Sequence, residues 1–178
     1  MKISCVLIEK SSTYPQSIYD RLNTGFFDEC LIKTDCPSVY NRYLLAKHAK
    51  NDIIYFQDSD CFVNYQELFK KYDGRLTNTM TESFQRFYEP LGATLVGWGC
   101  FAPKSMLSIF DKYIAAYGED EHLLREADRI FTYLNKPFNT IIMPHLDLPQ
   151  ASSGDRMTYE PHHFPSMKEA IRKCSLLV

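Results

Sequence analysis

At 178 residues the chain has the length of one domain, or of one domain with a C-terminal extension. Its 45% hydrophobic and 14% aromatic content supplies a sizeable core and excludes a disordered or fibrous chain. The formal net charge of −2, with no long basic run, argues against a dedicated nucleic-acid binder but not against a nucleic acid held by a local patch. Residues 3–8 predict a strand, followed by the polar Ser11-Ser12-Thr13 loop. Pro15 at a first helical turn opens a helix over 16–23, which Gly25 closes. A second short strand is predicted over 27–33. Ser38 then N-caps a helix over 39–50, whose apolar Val39, Tyr43, Leu44 and Ala46 recur at helical spacing. The run 53–56 lacks polar alternation and reads as a buried strand ending on Asp58-Ser59-Asp60. This βαβαβ order predicts a parallel, doubly wound sheet with right-handed crossovers.

Beyond the acidic pair the pattern predicts a helix over 65–72, a strand over 76–80 and a helix over 81–88 that Pro90 ends. A strand over 94–96 runs into Gly97-Trp98-Gly99, followed by long helices over 104–117 and 120–134 and a strand over 138–143. Residues 147–165 have no period, carry Pro, Gly and Ser with His162 and His163, and exceed an ordinary connection, as lids do. A last amphipathic helix over 166–177 packs on the core or rests on an anionic membrane.

The N-terminal strand is too short, and too soon followed by Glu9 and Lys10, to be a signal peptide. No apolar run approaches the ~18 residues that span a bilayer, so no integral membrane segment is expected. Six scattered cysteines without a Cys-x-x-Cys spacing read as free thiols in a reducing, cytoplasmic setting rather than as three disulfides.

The chemistry concentrates where the third strand stops. Open α/β sheets bind ligands past the carboxyl ends of their strands. If Asp58-Ser59-Asp60 is extended, both carboxylates share a side. Two hard oxygen anions there suit a Mg²⁺ or Mn²⁺ ion that carries a diphosphate; the plainer alternative is a solvated turn before the next helix. Gly97 and Gly99 allow a tight turn presenting Trp98, the one tryptophan, either to a sugar ring or base or to the core. Glu119 to Glu121 at a helix start, and Glu126 and Asp128 within it, are candidate bases or else a solvated, dipole-compensating face.

In this order, the βαβαβ half, the Asp-Ser-Asp turn, the glycine-rich segment Leu95-Val96-Gly97-Trp98-Gly99-Cys100-Phe101, the acidic helix and a late histidine resemble the GT-A fold glycosyltransferases. The resemblance spans about residues 2–164. It implies a GT-A-like, Rossmann-like and mostly parallel sheet flanked by helices in a single compact domain. A nucleotide-binding half would cover about 1–63 and an acceptor half about 64–146, with 147–178 as lid and C-terminal helix. It further implies a nucleotide-sugar donor, UDP-linked as the best guess. Mn²⁺ or Mg²⁺ would be ligated by Asp60, with Asp58 on the ribose or a metal-bound water. His162 or His163 would complete the metal shell, with His145 as a rival. Donor contacts would come from Glu9, Lys10, Asp35, Arg42, Asp58 and Ser59, and acceptor contacts from Gly97, Trp98 and Gly99. Asp128, or alternatively Asp120, would be the base of an inverting transfer to a hydroxyl. The short nucleotide half and the loose match of Lys33-Thr34-Asp35 to the usual acidic uridine contact depart from that pattern.

Two other functions compete. A nucleotidyltransferase also pairs carboxylates with a divalent ion, but normally shows a glycine-rich basic loop after the first strand. Residues 9–15 hold one lysine and no glycine. A carbohydrate-binding domain with a degenerate site is the non-enzymatic reading. The acceptor is a glycan, a lipid-linked intermediate, a small molecule or a hydroxylated DNA base. The last needs a basic groove drawn from Lys104, Lys112, Arg125, Arg129, Arg156, Lys168, Arg172 and Lys173.

Overall fold

The apolar runs at the start of the chain become β1 (Ile3–Ile8), β2 (Glu29–Lys33) and β3 (Ile53–Gln57), with β1 lying parallel to and between the other two. A computed structural model describes residues 1–13, 16–59, 61–144 and 163–178. In it these strands make one half of a six-stranded sheet of order β2-β1-β3-β5-β4-β6. The other half holds β4 (Thr77–Met80), β5 (Cys100–Pro103) and β6 (Asn139–Ile142). β4 and β6 are parallel, but β5 runs antiparallel to both β3 and β4. The sheet is therefore mixed and mostly parallel: β1 to β3 are parallel, as the βαβαβ pattern predicts, and β5 brings in the antiparallel pairings.

Strand alternation sorts the side chains into two cores. Ile3, Cys5, Leu7, Ile53 and Tyr55 face one side. There they meet Ile18 and Leu22 of α1 (Gln16–Leu22) and Tyr65 and Leu68 of α3 (Tyr65–Phe69). Val6, Ile54 and Phe56 face the other side, against Tyr43 of α2 (Asn41–Ala46), Phe110 of α5 (Ile109–Tyr117) and Phe131 of α6 (Glu121–Leu134). Helices on both faces of one sheet make a three-layer α/β domain. A short α4 (Glu82–Tyr88) stands beside the turn that leads into β5.

Several elements differ from the sequence reading. Residues 94–96 form no strand: Leu95 and Val96 are buried as core-filling loop, and β5 begins at Cys100, after the glycine turn. The expected helix over 39–50 shrinks to α2, because Ser38 shapes a turn. Its Oγ accepts from Tyr40 N at 3.0 Å and donates to the Leu124 carbonyl at 2.8 Å, fixing the start of α2 to α6. The expected helix from 104 opens as a 3₁₀ turn, Lys104–Ser108, before α5. Pro15, Asp60, His145 and His162, with most of the expected lid, lie outside the described residues.

The C-terminal helix α7 (His163–Ser175) is a core element, since Met167, Ala170 and Cys174 are fully buried. That corrects the alternative in which it rests on a membrane. Among the described residues no helix is long and apolar enough to cross one. The six cysteines carry no disulfide.

Asp120 ties α7 to α6. Its Oδ1 caps α6 by accepting from Leu123 N at 2.8 Å, and its Oδ2 lies 2.6 Å from Lys173 Nζ. Partial burial works against the charge, but Lys173 and the Leu123 amide outweigh it and hold the carboxyl below the usual carboxylate range. A carboxylate with a depressed folded pKa stabilises above its unfolded value and loses that contribution as pH falls through the folded one. Asp120→Ala should cost about 1–2 kcal/mol at neutral pH and progressively less under strong acid. Urea unfolding at pH 7 and near pH 3 checks this, and an equal deficit at both would remove the ionic part.

Candidate active site

The carboxyl ends of β1, β2 and β3 leave the sheet together, and the loops that follow are joined to one another. Glu9 N donates to Lys33 O, and Glu9 O accepts from Cys36 N, each at 3.0 Å. Asp35 N donates to Ser11 O at 3.0 Å, with Asp35 in a left-handed conformation (φ 53°) that leaves its side chain exposed. The Glu9 carboxylate accepts from Ser11 N at 3.1 Å and from the hydroxyl of Ser59. Four of the expected donor residues, Glu9, Asp35, Asp58 and Ser59, thus gather on one rim, with Lys10 exposed next to Glu9.

Asp58 lies two residues past Phe56 and so falls on the α2 and α6 side of the sheet. There the geometry departs from the sequence reading. Arg42, expected at the nucleotide, is only 1% exposed. Its Nη1 donates to both carboxylate oxygens of Asp128 at 3.0 Å, and its Nη2 donates to Asp58 Oδ1. Tyr43 adds a 2.6 Å hydrogen bond to Asp128 Oδ1. Burial lowers the Arg42 pKa, but Asp128, with smaller contributions from Tyr43 and Cys61, outweighs it and the net shift is upward. For Tyr43, burial and then the Asp128 charge push the phenol well above its ordinary value, so it stays a donor.

Asp128 is itself only 4% exposed. Accepting from Arg42 and Tyr43, it is placed as the anchor of a buried ion cluster rather than open to an acceptor hydroxyl. The alternative, Asp120, is engaged as a helix cap and ion-pair partner of Lys173. Glu126, one turn before Arg129, is fully buried on a non-helical residue (φ −116°, ψ 24°) inside α6, with Oε2 3.7 Å from Arg129 Nε. Arg129 Nη2 donates to Tyr88 at 2.8 Å. Tyr43 is the member of the cluster that the sequence reading assigned to packing alone.

The glycine turn is fitted to Asp58. Asp58 N donates to Gly97 O at 2.6 Å, and the Cys61 thiol reaches the same carbonyl at 3.1 Å. A methyl group on Gly97 would land on the Asp58 carboxylate, so the residue is glycine because the acid occupies that space. Gly99 has φ 99°, and a side chain there would strike Val63 and approach the Tyr55 hydroxyl. Trp98 is half-buried: its carbonyl accepts from Thr79 Oγ1, and its ring meets Phe84 edge-on at 4.5 Å. Gly97→Ala should destabilise the chain by about 1–3 kcal/mol through overpacking. A urea midpoint equal to wild type would show that Asp58 swings aside without cost.

Asp60 and His162 lie outside the described residues, as does the side chain of His163. Among the described residues no group of three or more His, Cys, Asp or Glu is arranged to hold a metal ion. Asp58 offers the hard oxygens that Mn²⁺ or Mg²⁺ prefers, but one of them already accepts from Arg42. A basic groove for nucleic acid gains no support, because several of its expected residues serve internal contacts. Lys104 bonds Ala49 O, Lys112 bonds Leu177 O, Arg129 bonds Tyr88, Arg172 bonds Glu169 and Lys173 bonds Asp120.

No protein-family profile matches the chain, and no curated protein matches it. Its fold is similar to the crystal structure of the protein Aq1419 from Aquifex aeolicus VF5, with a TM-score of 0.51 and 14% identity. That alignment covers 79% of this chain and 86% of the other. At this level of identity the likeness shows a shared fold.

Proposed function

We propose that this protein is a metal-dependent glycosyltransferase that moves a sugar from a nucleotide donor, a UDP-sugar as the best guess, to a hydroxyl acceptor. The observation that carries the reading is the rim at the carboxyl ends of β1 to β3. Glu9, Asp35, Asp58 and Ser59 meet there on loops joined by backbone hydrogen bonds, directly across the Asp58 contact from the Gly97 turn. Ligands of open α/β sheets bind at such a rim. In this reading Glu9 and Asp35 accept from the nucleoside, and Ser59 is oriented by Glu9. Trp98 offers the acceptor an aromatic edge, with Phe84 behind it. Mn²⁺ or Mg²⁺ would be held chiefly by Asp60, with Asp58 reaching it through water and His162 or His163 as a further ligand. The ion would neutralise charge on the leaving diphosphate.

To take a proton, Asp128 would have to give up the hydrogen bonds from Arg42 and Tyr43. The proposal therefore uses Asp128 to anchor the site. Inversion at the anomeric carbon would need Asp128 released from Arg42 and Tyr43 to accept the hydroxyl proton, and product stereochemistry reads whether this occurs.

The test is calorimetric titration of UDP in Mn²⁺ and in excess EDTA, with a mass-spectrometric screen for sugar-nucleotide hydrolysis under the same conditions. Binding should tighten at least about tenfold with metal, or about 1.4 kcal/mol. Equal affinity in both buffers, with no sugar nucleotide consumed, would overturn the proposal.

A further inference from the structure

A guanidinium carries its donors in a rigid planar fork and can hold two carboxylates at fixed positions at once. Arg42 uses its fork in this way, with Nη1 on both oxygens of Asp128 and Nη2 on Asp58. Among the described residues its Nε finds no hydrogen-bond partner, so the two Nη atoms set the orientation of the group. The ends of the bridge differ in exposure: the side chains of Arg42 and Asp128 are 2% and 6% exposed, whereas that of Asp58 is 37% exposed at the rim. Neutralising one buried carboxylate requires one partner; a second carboxylate at the surface adds negative charge to the cluster and answers no burial requirement. The Asp58 end is also where the cluster meets another part of the chain. The Asp58 carboxylate fills the space that a side chain at Gly97 would take, and its amide holds the Gly97 carbonyl.

We propose that Arg42 is a positioning residue that fastens the rim carboxylate of Asp58 to Asp128 on α6, so that Asp58 seats the Gly97-Trp98-Gly99 turn. The consequence for an acceptor rests on the transferase reading, but the seating itself does not. Rigidity passes from α6 through Arg42 and Asp58 to the turn, which Thr79 then steadies through its bond to the Trp98 carbonyl.

Trp98 is the one tryptophan, so its fluorescence reports on this turn without nucleotide or metal. The full chain is compared with Arg42→Gln/Asp128→Asn, which removes both charges of the inner pair together, and with Asp58→Ala and Asp58→Asn. Acrylamide quenching of Trp98 and hydrogen exchange at the Asp58 amide are measured on each folded variant. In the double variant and in Asp58→Ala, quenching should rise about twofold and exchange at Asp58 at least about tenfold, while the β3 amides keep wild-type protection, as in a local opening. Asp58→Asn keeps an acceptor oxygen for Arg42 and should stay near wild type. Wild-type quenching and exchange in a folded double variant would mean that Arg42 serves only to neutralise Asp128. Should the double variant not fold, Asp58→Ala decides alone, since it leaves the Arg42–Asp128 pair intact; wild-type values there overturn the proposal. Loss of metal-dependent UDP binding in the native chain would reject the transferase and leave these measurements unaffected.

Discussion

Arg42→Leu should lower the unfolding free energy by about 3–5 kcal/mol, the usual cost of leaving one partner of a buried ion pair alone. Among the described residues, Asp128, at 4% exposure, would keep the Tyr43 hydrogen bond alone. Leucine fills much of the volume, so the loss reports the uncompensated charge more than a cavity. Arg42→Lys should recover only part of it, because a compact ammonium cannot reach both oxygens of Asp128 and Asp58 together. Adding Asp128→Asn to Arg42→Leu should recover more than half of the deficit by removing the orphaned charge, a coupling read from the double-mutant cycle. Urea unfolding at neutral pH measures all of these. A loss below about 1 kcal/mol for Arg42→Leu would place the pair in the class of solvated surface bridges and contradict the burial of Arg42 and Asp128.

The same residue marks where the sequence stopped being legible. The strands that carry the rim were readable because each is a short apolar run with an abrupt polar end, and the Asp-Ser-Asp turn drew its meaning from the buried run before it. The pairing of Arg42 with Asp58 and Asp128 spans 16 and 86 positions and leaves no local period. A signal was nevertheless present. By spacing, Val39, Tyr43, Leu44 and Ala46 form the apolar stripe of their helix, yet Leu44 is 39% exposed while Arg42, Tyr43 and Ala46 are buried. The buried stripe is rotated so that it includes the arginine. A charge within such a stripe requires a buried counter-charge, and the acids nearest a later buried stripe are Glu126 and Asp128. β5 was misplaced for a different reason. Thr94, Leu95 and Val96 have strand composition, but Thr94 N binds Thr132 Oγ1 at 3.0 Å on α6 instead of a neighbouring strand. Apolar content marks burial, and only the ladder partners decide whether a buried segment is a strand.

Asp60→Ala should reduce sugar transfer at least about 10²-fold, the scale of losing a group that stabilises charge on the departing diphosphate. It should also abolish the metal-dependent part of UDP binding. Asp58 and Asp60 have different tasks. Asp58 is committed to the protein: Arg42 holds one oxygen, and Gly97 packs against the carboxylate. In the proposed transferase, Asp60 would be the acid that ligates Mn²⁺ or Mg²⁺ directly. Asp60→Ala should therefore leave the urea midpoint and the Trp98 fluorescence of the nucleotide-free chain at wild-type values while UDP titrations become indifferent to EDTA. Asp58→Ala should show the converse order, with Trp98 altered before any ligand is added and metal-dependent UDP binding weakened but still present. Both variants are measured by the same calorimetry and quenching, so the outcomes are directly comparable. If Asp60→Ala retains metal-dependent binding while Asp58→Ala loses it entirely, the roles of the two carboxylates are reversed, and Asp58 must exchange Arg42 for the cation when the donor binds.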